Sequence, residues 1–460
     1  MVRVVVAEES ILPYLKGLQC GENYEIGLII GQNTGQRDYV IHLARTPLAA
    51  PITSEESSEN KPINRYAIIK ALKDIDEAGI AEHAKHVTRM LPGGMFVLGI
   101  FVLGPGDIFA DSSSVSKLRS VLLRIKKVLL SNKFLHGDSP CAEKLVLHLC
   151  STTQRYVCKM LNPDNSIGTP LPVDWKFQTH PTKWHQLDCQ YELDHIFPVI
   201  TDKIAQPLRK NLQEILAAMD EQVQTAVCVL DGEMRDSTET IESMGKKRKG
   251  KNSKTAIEEA KVVNASLYIP CDIHVGKEQD LQIIDCCSEM KFLGVLASRV
   301  FLHQKATVEE AVQALKGDVI RSLASRLEMH WDSLIEEEHG SPEEHVTLHE
   351  PPRRVLVPLP HCRVTLSDYL FPGEGASEAL ISLEELLDLQ VKESDVQKEL
   401  ELQADPMEYC TSEIQVEGET SEDLLPVAMN SSTFLIIGLS VGLAILAISI
   451  AVQFSGWTNR

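Results

Sequence analysis

Four side chains between residues 180 and 195 have the chemistry of a zinc site. His180, His185, Cys189 and His195 offer three imidazoles and a thiol within 16 residues. A structural zinc needs four such groups converging on one ion, commonly delivered by closely paired cysteines and histidines. Here the intervals are four, three and five residues, and no Cys-x2-Cys pair occurs in the chain. The spacing favours dispersed core and surface residues over a metal centre. His361 and Cys362 are sequence neighbours, but a cysteine nucleophile needs a base held against it in space and a third group orienting that base. No GxxxxGK[ST] phosphate loop, GxSxG elbow or HExxH helix is present. The basic run from Lys246 to Lys254 reads as a solvated loop rather than a targeting signal.

The elements that would position these residues alternate between strand and helix. EIGLIIG at 25–31 and YVIHL at 39–43 read as strands around the turn NTGQRD. The spacing of Ile68, Leu72, Ile75 and Ile80 predicts a helix over 64–90, stopped by Leu91-Pro-Gly-Gly. MFVLGIFVL at 95–103 is a strand buried on both faces, and 115–130 is an amphipathic helix. A hairpin is expected at 144–150 and 156–160, with a further strand at 174–178. Residues 1–190 thus form one α/β layer. Residues 191–372 form a second α/β unit. It has helices at 204–219 and 307–328 and strands at 262–274, 292–302 and 354–358. Thr307 and Glu310 make a capping box at the start of the second helix.

The chain has 460 residues and a net charge of −20, from 45 Lys and Arg against 65 Asp and Glu. A cationic face for nucleic acid is not in that balance. The charge is concentrated: residues 373–430 hold 16 acidic and two basic residues, or −14, which leaves −6 for the other 402. This segment reads as an acidic disordered linker over 373–433 with a nascent helix at 380–389. The alternative is a short amphipathic docking helix offering Leu380, Ile381, Leu383, Leu386 and Leu387 to a partner. The 11 cysteines show no dense pattern, and MVRVVVAEES lacks the apolar core of a secretory signal. A reducing cytosol, with the cysteines as small buried hydrophobes, is the expectation.

The strongest signal is FLIIGLSVGLAILAISIAVQF, residues 434–454, with 21 residues and no charge. As a helix it spans about 31 Å, matching the hydrocarbon thickness. Phe434, Leu435, Ile436, Ile437, Leu439, Leu443, Leu446, Ile448, Ile450 and Phe454 form the apolar surface of the anchor. Gly438 and Gly442 make a GxxxG match for helix pairing, although a plain lipid-facing anchor is the simpler reading. Six residues follow, 455–460. A single-pass tail anchor with the preceding domains in the cytosol is expected, and hydropathy leaves the choice of membrane open.

Two resemblances add to this reading. Glu25 opening the strand EIGLIIG, then a helix and VLGIFVLGP, resembles the MPN (JAMM) metalloprotease domain. That family places a glutamate before such a strand, two zinc-binding histidines in HxHP, then a serine and a zinc-binding aspartate. Pro105 fits the motif proline and Ser113 the serine. The metal-ligand positions fall on Val102, Gly104 and Ser116. None is a histidine or aspartate, so the resemblance implies a catalytically inactive domain with no metal and no cofactor. Over nearly the whole chain, EIGLIIGQNTGQRDYVIHLARTP, LPGGMFVLGIFVLGP, VLVPLPHCRV and the C-terminal anchor resemble the odorant-response-abnormal family, fourth member. That resemblance implies a non-enzymatic endoplasmic-reticulum membrane protein. Its implied partners are selected G-protein-coupled receptors and the cysteine protease of the ubiquitin-fold modifier. Protease recruitment and direct receptor chaperoning both stand as readings.

Overall fold

The computed structural model describes residues 2–18, 21–35, 37–47, 66, 69–136, 142–200, 207–244, 260–270, 285–338 and 350–401. Its first elements are β1 (Arg3–Glu8), α1 (Ile11–Gly17), β2 (Glu25–Asn33), β3 (Arg37–Arg45), α2 (Glu77–Met90) and β4 (Phe96–Gly104). They continue with α3 (Ser112–Leu130), α4 (Lys133–His136), β5 (Lys144–Cys150), β6 (Tyr156–Leu161) and β7 (Leu171–Gln178). The seven strands close into a barrel of order β1-β3-β2-β4-β5-β6-β7, sealed by parallel pairing of β1 with β7.

The barrel explains why MFVLGIFVL is apolar on both faces. Alternate residues of a strand point to opposite sides. Phe101 and Leu103 point inward and pack with Ile29, Leu43, Leu147 and Trp175, and Leu98 joins them across a register shift in the pairing of β2 with β4. Ile100 and Val102 point outward into a second core with Ile80 and Val87 of α2 and Leu118 and Leu122 of α3. The helix expected over 64–90 is shorter in the structure. Asp76 accepts a hydrogen bond from the Ala78 backbone N–H and starts α2 at Glu77. A new N-cap there outweighs an apolar spacing that had already drifted beyond one helical face.

Next come β8 (Trp184–Ile200), α5 (Leu208–Thr225), β9 (Val227–Leu230), β10 (Val262–Tyr268), β11 (Cys286–His303) and α6 (Val308–Glu338). The strands form a sheet of order β11-β8-β10-β9. Thr307 and Glu310 make the expected reciprocal cap at the start of α6. The division expected at residue 190 is not a break in the fold, because β8 runs through it and pairs with β11 from Trp184 to Ile200. The sheet is also stitched to the barrel. The Gln32 amide donates to the carbonyls of Gly94 and Phe301, both at 2.9 Å, and its oxygen accepts from the His303 N–H at 2.8 Å.

The last described elements are β12 (Arg353–Pro358), β13 (Thr365–Leu370) and α7 (Ala376–Leu387). The acidic linker expected from residue 373 is therefore folded at its start. Ala376, Ala379, Leu383 and Leu387 recur at spacings of three and four, are fully buried, and share one core with Ile26, Ile80 and Val355. Charge count hid this stripe, because the acidic residues occupy the other face of α7. Residue 401 ends the described chain in a buried clamp. The Glu401 carboxylate accepts two bonds from Arg326, at 2.7 and 2.6 Å, and one each from the backbone N–H groups of Ala297 and Arg354. Met1–Gln403 is one unit. Among the described residues no helix is long and apolar enough to cross a membrane. The anchor residues 434–454, with Gly438 and Gly442, and the remaining linker residues 404–433 lie outside the described residues.

Candidate functional site at one end of the barrel

The strand directions bring the ends of β1, β3, β4, β5 and β7 and the starts of β2 and β6 to one barrel end. α1 follows β1 there, with Ile11 and Leu15 buried in the interior core. This end carries Glu25, Arg45 and Gly104, and it also receives the C-terminus of α7.

Asp388 stands in the left-handed region (φ 56°) just past α7, where a helix commonly stops. Its carboxylate accepts from Tyr14 Oη at 2.9 Å, Tyr66 Oη at 2.5 Å and Arg45 at 2.7–2.8 Å. The Arg45 guanidinium also lies 3.5 Å from the centre of the Tyr66 ring, a cation–π geometry. Burial first, and the Asp388 charge with it, raises both tyrosines, Tyr66 to about 12. They remain proton donors to the carboxylate.

The last carbonyls of a helix have no partner within it. Two buried histidines supply partners here. His42 Nε2 donates to the Leu387 carbonyl and His83 Nε2 to the Leu386 carbonyl, each at 2.7 Å. A carbonyl only accepts, so each Nε2 carries the hydrogen. Nδ1 of His83 is left bare in the neutral form and accepts from Thr46 Oγ1 at 3.3 Å. Burial holds both imidazoles neutral and lowers their pKa values to about 4. The segment Leu386–Asp388 is thus held by two imidazoles, two phenols and a guanidinium.

The positions assigned by the metalloprotease resemblance lie nearby. Glu25 is buried, burial raises its carboxyl, and Arg45 stands 4.0 Å away with an opposing effect. Its Oε2 has no hydrogen-bond partner. Glu25 pairs across from Leu103, and Ile26 from Val102, so the glutamate and the first ligand position do adjoin. Val102 is packed in the outer core. At Gly104 a Cβ would stand 2.1 Å from the Tyr24 ring. The ring fills the space where a second ligand would project. Ser113 and Ser116 lie exposed on α3, and Ser113 serves its N-cap, with its N–H donating to Asp111. Val102 and Gly104 offer no side-chain ligand atom, and this end of the barrel holds the segment Leu386–Asp388.

The other sequence candidates separate. His185, Cys189 and His195 sit along one strand, β8. Four residues of strand span about 13 Å, too far for ligands of one ion. His185 instead bonds the Gln304 carbonyl at 3.2 Å. His361 Nε2 donates to the Ile41 carbonyl at 3.0 Å and its ring lies beside His42. Burial pushes the Cys362 thiol up to about 12, so that pair is not an activated nucleophile. Of the proposed docking residues, Leu383 and Leu387 are buried in the outer core and Leu380 and Leu386 pack against it, while Ile381 is half exposed. α7 docks on its own barrel. Sequence reasoning missed Tyr14, His42, Arg45, Tyr66, His83 and Asp388. The one visible signal was a histidine within the apolar run YVIHL.

A family model described as odorant response abnormal 4-like matches residues 27–398. The chain belongs to the odorant response abnormal 4-like family. The match ends with the docked acidic segment, so α7 and Asp388 belong to the family region. The chain is 30% identical to the protein odr-4 homolog of Gallus gallus over 404 residues, 86% of each chain. It is 29% identical to the Homo sapiens odr-4 homolog over 411 residues, 87% of this chain and 86% of that one. It is 25% identical to odorant response abnormal protein 4 of Caenorhabditis elegans over 358 residues, 76% of this chain and 69% of the worm protein. Among solved structures, the crystal structure of UfSP from C. elegans aligns with a TM-score of 0.42 and 8% identity, covering 84% of this chain and 57% of that one. That likeness is too slight to fix a shared fold.

Proposed function

We propose that this chain is a non-enzymatic, tail-anchored adaptor of the endoplasmic-reticulum membrane. Its folded unit faces the cytosol, and residues 434–454 form the single-pass anchor. It recruits the cysteine protease of the ubiquitin-fold modifier and assists the folding and trafficking of a subset of G-protein-coupled receptors. The barrel is then an inactive relative of the MPN hydrolases. The observation that carries this reading is the Tyr24 ring packed onto Gly104, which takes the space a ligand would need. The names of the relatives, which refer to an abnormal odorant response, support the receptor arm. The uncharged 21-residue segment supports the anchor. Tethering raises the local concentration of a bound partner near membrane substrates.

The test is subcellular fractionation of the protease in cells expressing the full chain or a chain lacking residues 434–460. Release of the protease from membranes by the deletion is expected, and an unchanged distribution would sink the recruitment reading. A second reading is favoured by the GxxxG pair Gly438 and Gly442: direct chaperoning of receptors through the membrane helix. Under it, replacing 434–454 with an unrelated anchor abolishes receptor delivery. Full delivery with the unrelated anchor would remove it.

A further inference from the structure

The segment from α3 to α4 is basic in an acidic chain. Residues 112–136 carry Lys117, Arg119, Arg124, Lys126, Lys127 and Lys133 and no acidic side chain, against a net charge of −20 for the whole chain. α3 buries Leu118, Val121, Leu122 and Ile125 in the outer core. Helical spacing then puts Leu123, Arg124, Lys127 and Leu130 on the side away from that core. Arg124 and Lys127 are exposed, Leu123 is half-buried, and Leu130 is 56% exposed. At the flanks Lys117 pairs with Glu77 and Lys126 with Asp164. Among the described residues no carboxylate is in ion-pair contact with Arg124, Lys127 or Lys133.

The chain between β6 and β7 adds an apolar tip beside this face. It is fastened to α3 at two positions seven residues apart. The buried Arg119 donates to the carbonyls of Ser166, at 2.7 Å, and Gly168, and Lys126 holds Asp164. Asn165 Oδ1 accepts from the N–H groups of Ile167 at 3.2 Å and Gly168 at 3.0 Å. Between these fastenings Ile167 is left 91% exposed. A single exposed apolar residue needs no explanation. Here a closely bonded loop holds one in water, beside the flank of α3 where Leu123 and Leu130 stand three residues before and four after Lys126. Holding it there in advance removes the ordering cost of using it in binding.

We propose that this face docks on an anionic lipid bilayer, with Ile167 and Leu130 entering the interface and Arg124, Lys127 and Lys133 over the headgroups. Cations surrounding apolar residues that reach a shallow depth is the pattern of proteins that lie on such a surface. An exposure of 91% puts Ile167 on a convex point. A convex apolar tip among cations fits a deformable lipid interface better than an acidic peptide, which would need a groove to lie in. The proposal rests on the adaptor reading only in taking a bilayer to be near the folded unit.

The test reconstitutes the full chain into vesicles of phosphatidylcholine alone or with about 30% phosphatidylserine, each doped with a photoactivatable lipid. Cross-linked peptides are mapped by mass spectrometry, with residues 434–454 as the internal reference. Labelling of 123–133 and 162–170 at least about fivefold higher in the anionic vesicles is expected. That gain should fall severalfold in the double variant Arg124→Glu with Lys127→Glu and in Ile167→Ser. Equal labelling in both vesicles, or a gain indifferent to both variants, overturns the proposal. The altered side chains are exposed, so both variants should keep the melting temperature of the unaltered chain. Should either unfold, salt decides: loss of the gain between about 0.1 and 0.5 M supports docking, and an unchanged gain removes it. If 434–454 takes no label, the anchor reading fails by itself, and flotation of the full chain with anionic but not neutral vesicles then supports docking, while no flotation overturns it. Protection of 123–133 from hydrogen exchange without lipid, lost in a chain ending at Gln403, would assign this face to the acidic residues 404–430 and overturn the lipid proposal.

Discussion

A histidine at position 104 has nowhere to go while Tyr24 keeps its place. Introducing Val102→His, Gly104→His and Ser116→Asp together restores the ligand types of the metalloprotease motif, but not the room for them. The expected result is a chain less stable by about 1–3 kcal/mol, from overpacking against Tyr24, and still without stoichiometric zinc by elemental analysis. One zinc per chain would show that the site was merely unligated rather than filled. Asp388 makes the complementary case. Its carboxylate takes hydrogen bonds from three residues in a largely buried setting, so Asp388→Ala should cost about 2–4 kcal/mol in chemical denaturation. A change below 0.5 kcal/mol would mean that the cluster is incidental. At this scale the sequence was legible where two partners lie close in the chain, as at the cap made by Thr307 and Glu310. It was illegible where residues far apart in the chain meet. Tyr14, Arg45, Tyr66 and Asp388 come from four separate segments, and no local spacing announces them.

At the scale of elements, two imidazoles hold the last carbonyls of α7 beside its buried apolar stripe, and this sets a pH dependence. His42 and His83 titrate near 4 in the folded chain, against about 6.5 when unfolded. A depressed folded value means that the unfolded state binds protons first as pH falls. The stability is therefore complete above about 6.5 and is lost progressively toward 4. Each histidine should remove on the order of 2 kcal/mol between pH 7.5 and 5. The amide protons of α7 should exchange faster at pH 5 than intrinsic rates explain. Protection of α7 that is independent of pH over this window would contradict the assignment. Most strands and the α6 cap were readable, because alternation and capping chemistry are local. The acidic helix was not, because a stripe of Ala376, Ala379, Leu383 and Leu387 is diluted by the glutamates between them. β8 was missed although its buried residues alternate with Gln186, Asp188, Gln190, Glu192 and Asp194 as a half-buried strand requires, because the histidines among them drew attention to metal chemistry.

At the scale of the whole molecule, the folded unit reaches Gln403 rather than residue 372. A chain ending at Gln403 should unfold in one cooperative transition. A chain ending at residue 372 loses α7, the Asp388 cluster and the Glu401 clamp, exposes the core that α7 covers, and should aggregate. Glu401→Ala alone should cost about 3–5 kcal/mol, since it strands Arg326 and two backbone N–H groups in the interior. Equal stability of the two truncated chains would refute this boundary. Composition placed the boundary about 30 residues early, because net charge reports solvation of one face and says nothing of the other. The most direct measurement of the adaptor reading is light scattering on an equimolar mixture of the purified chain 1–403 and the ubiquitin-fold-modifier protease. A single species with the mass of a one-to-one complex is the expected result. Two separate species at micromolar concentration would contradict the claim that the folded unit is a docking platform, and would leave recognition to the membrane segment.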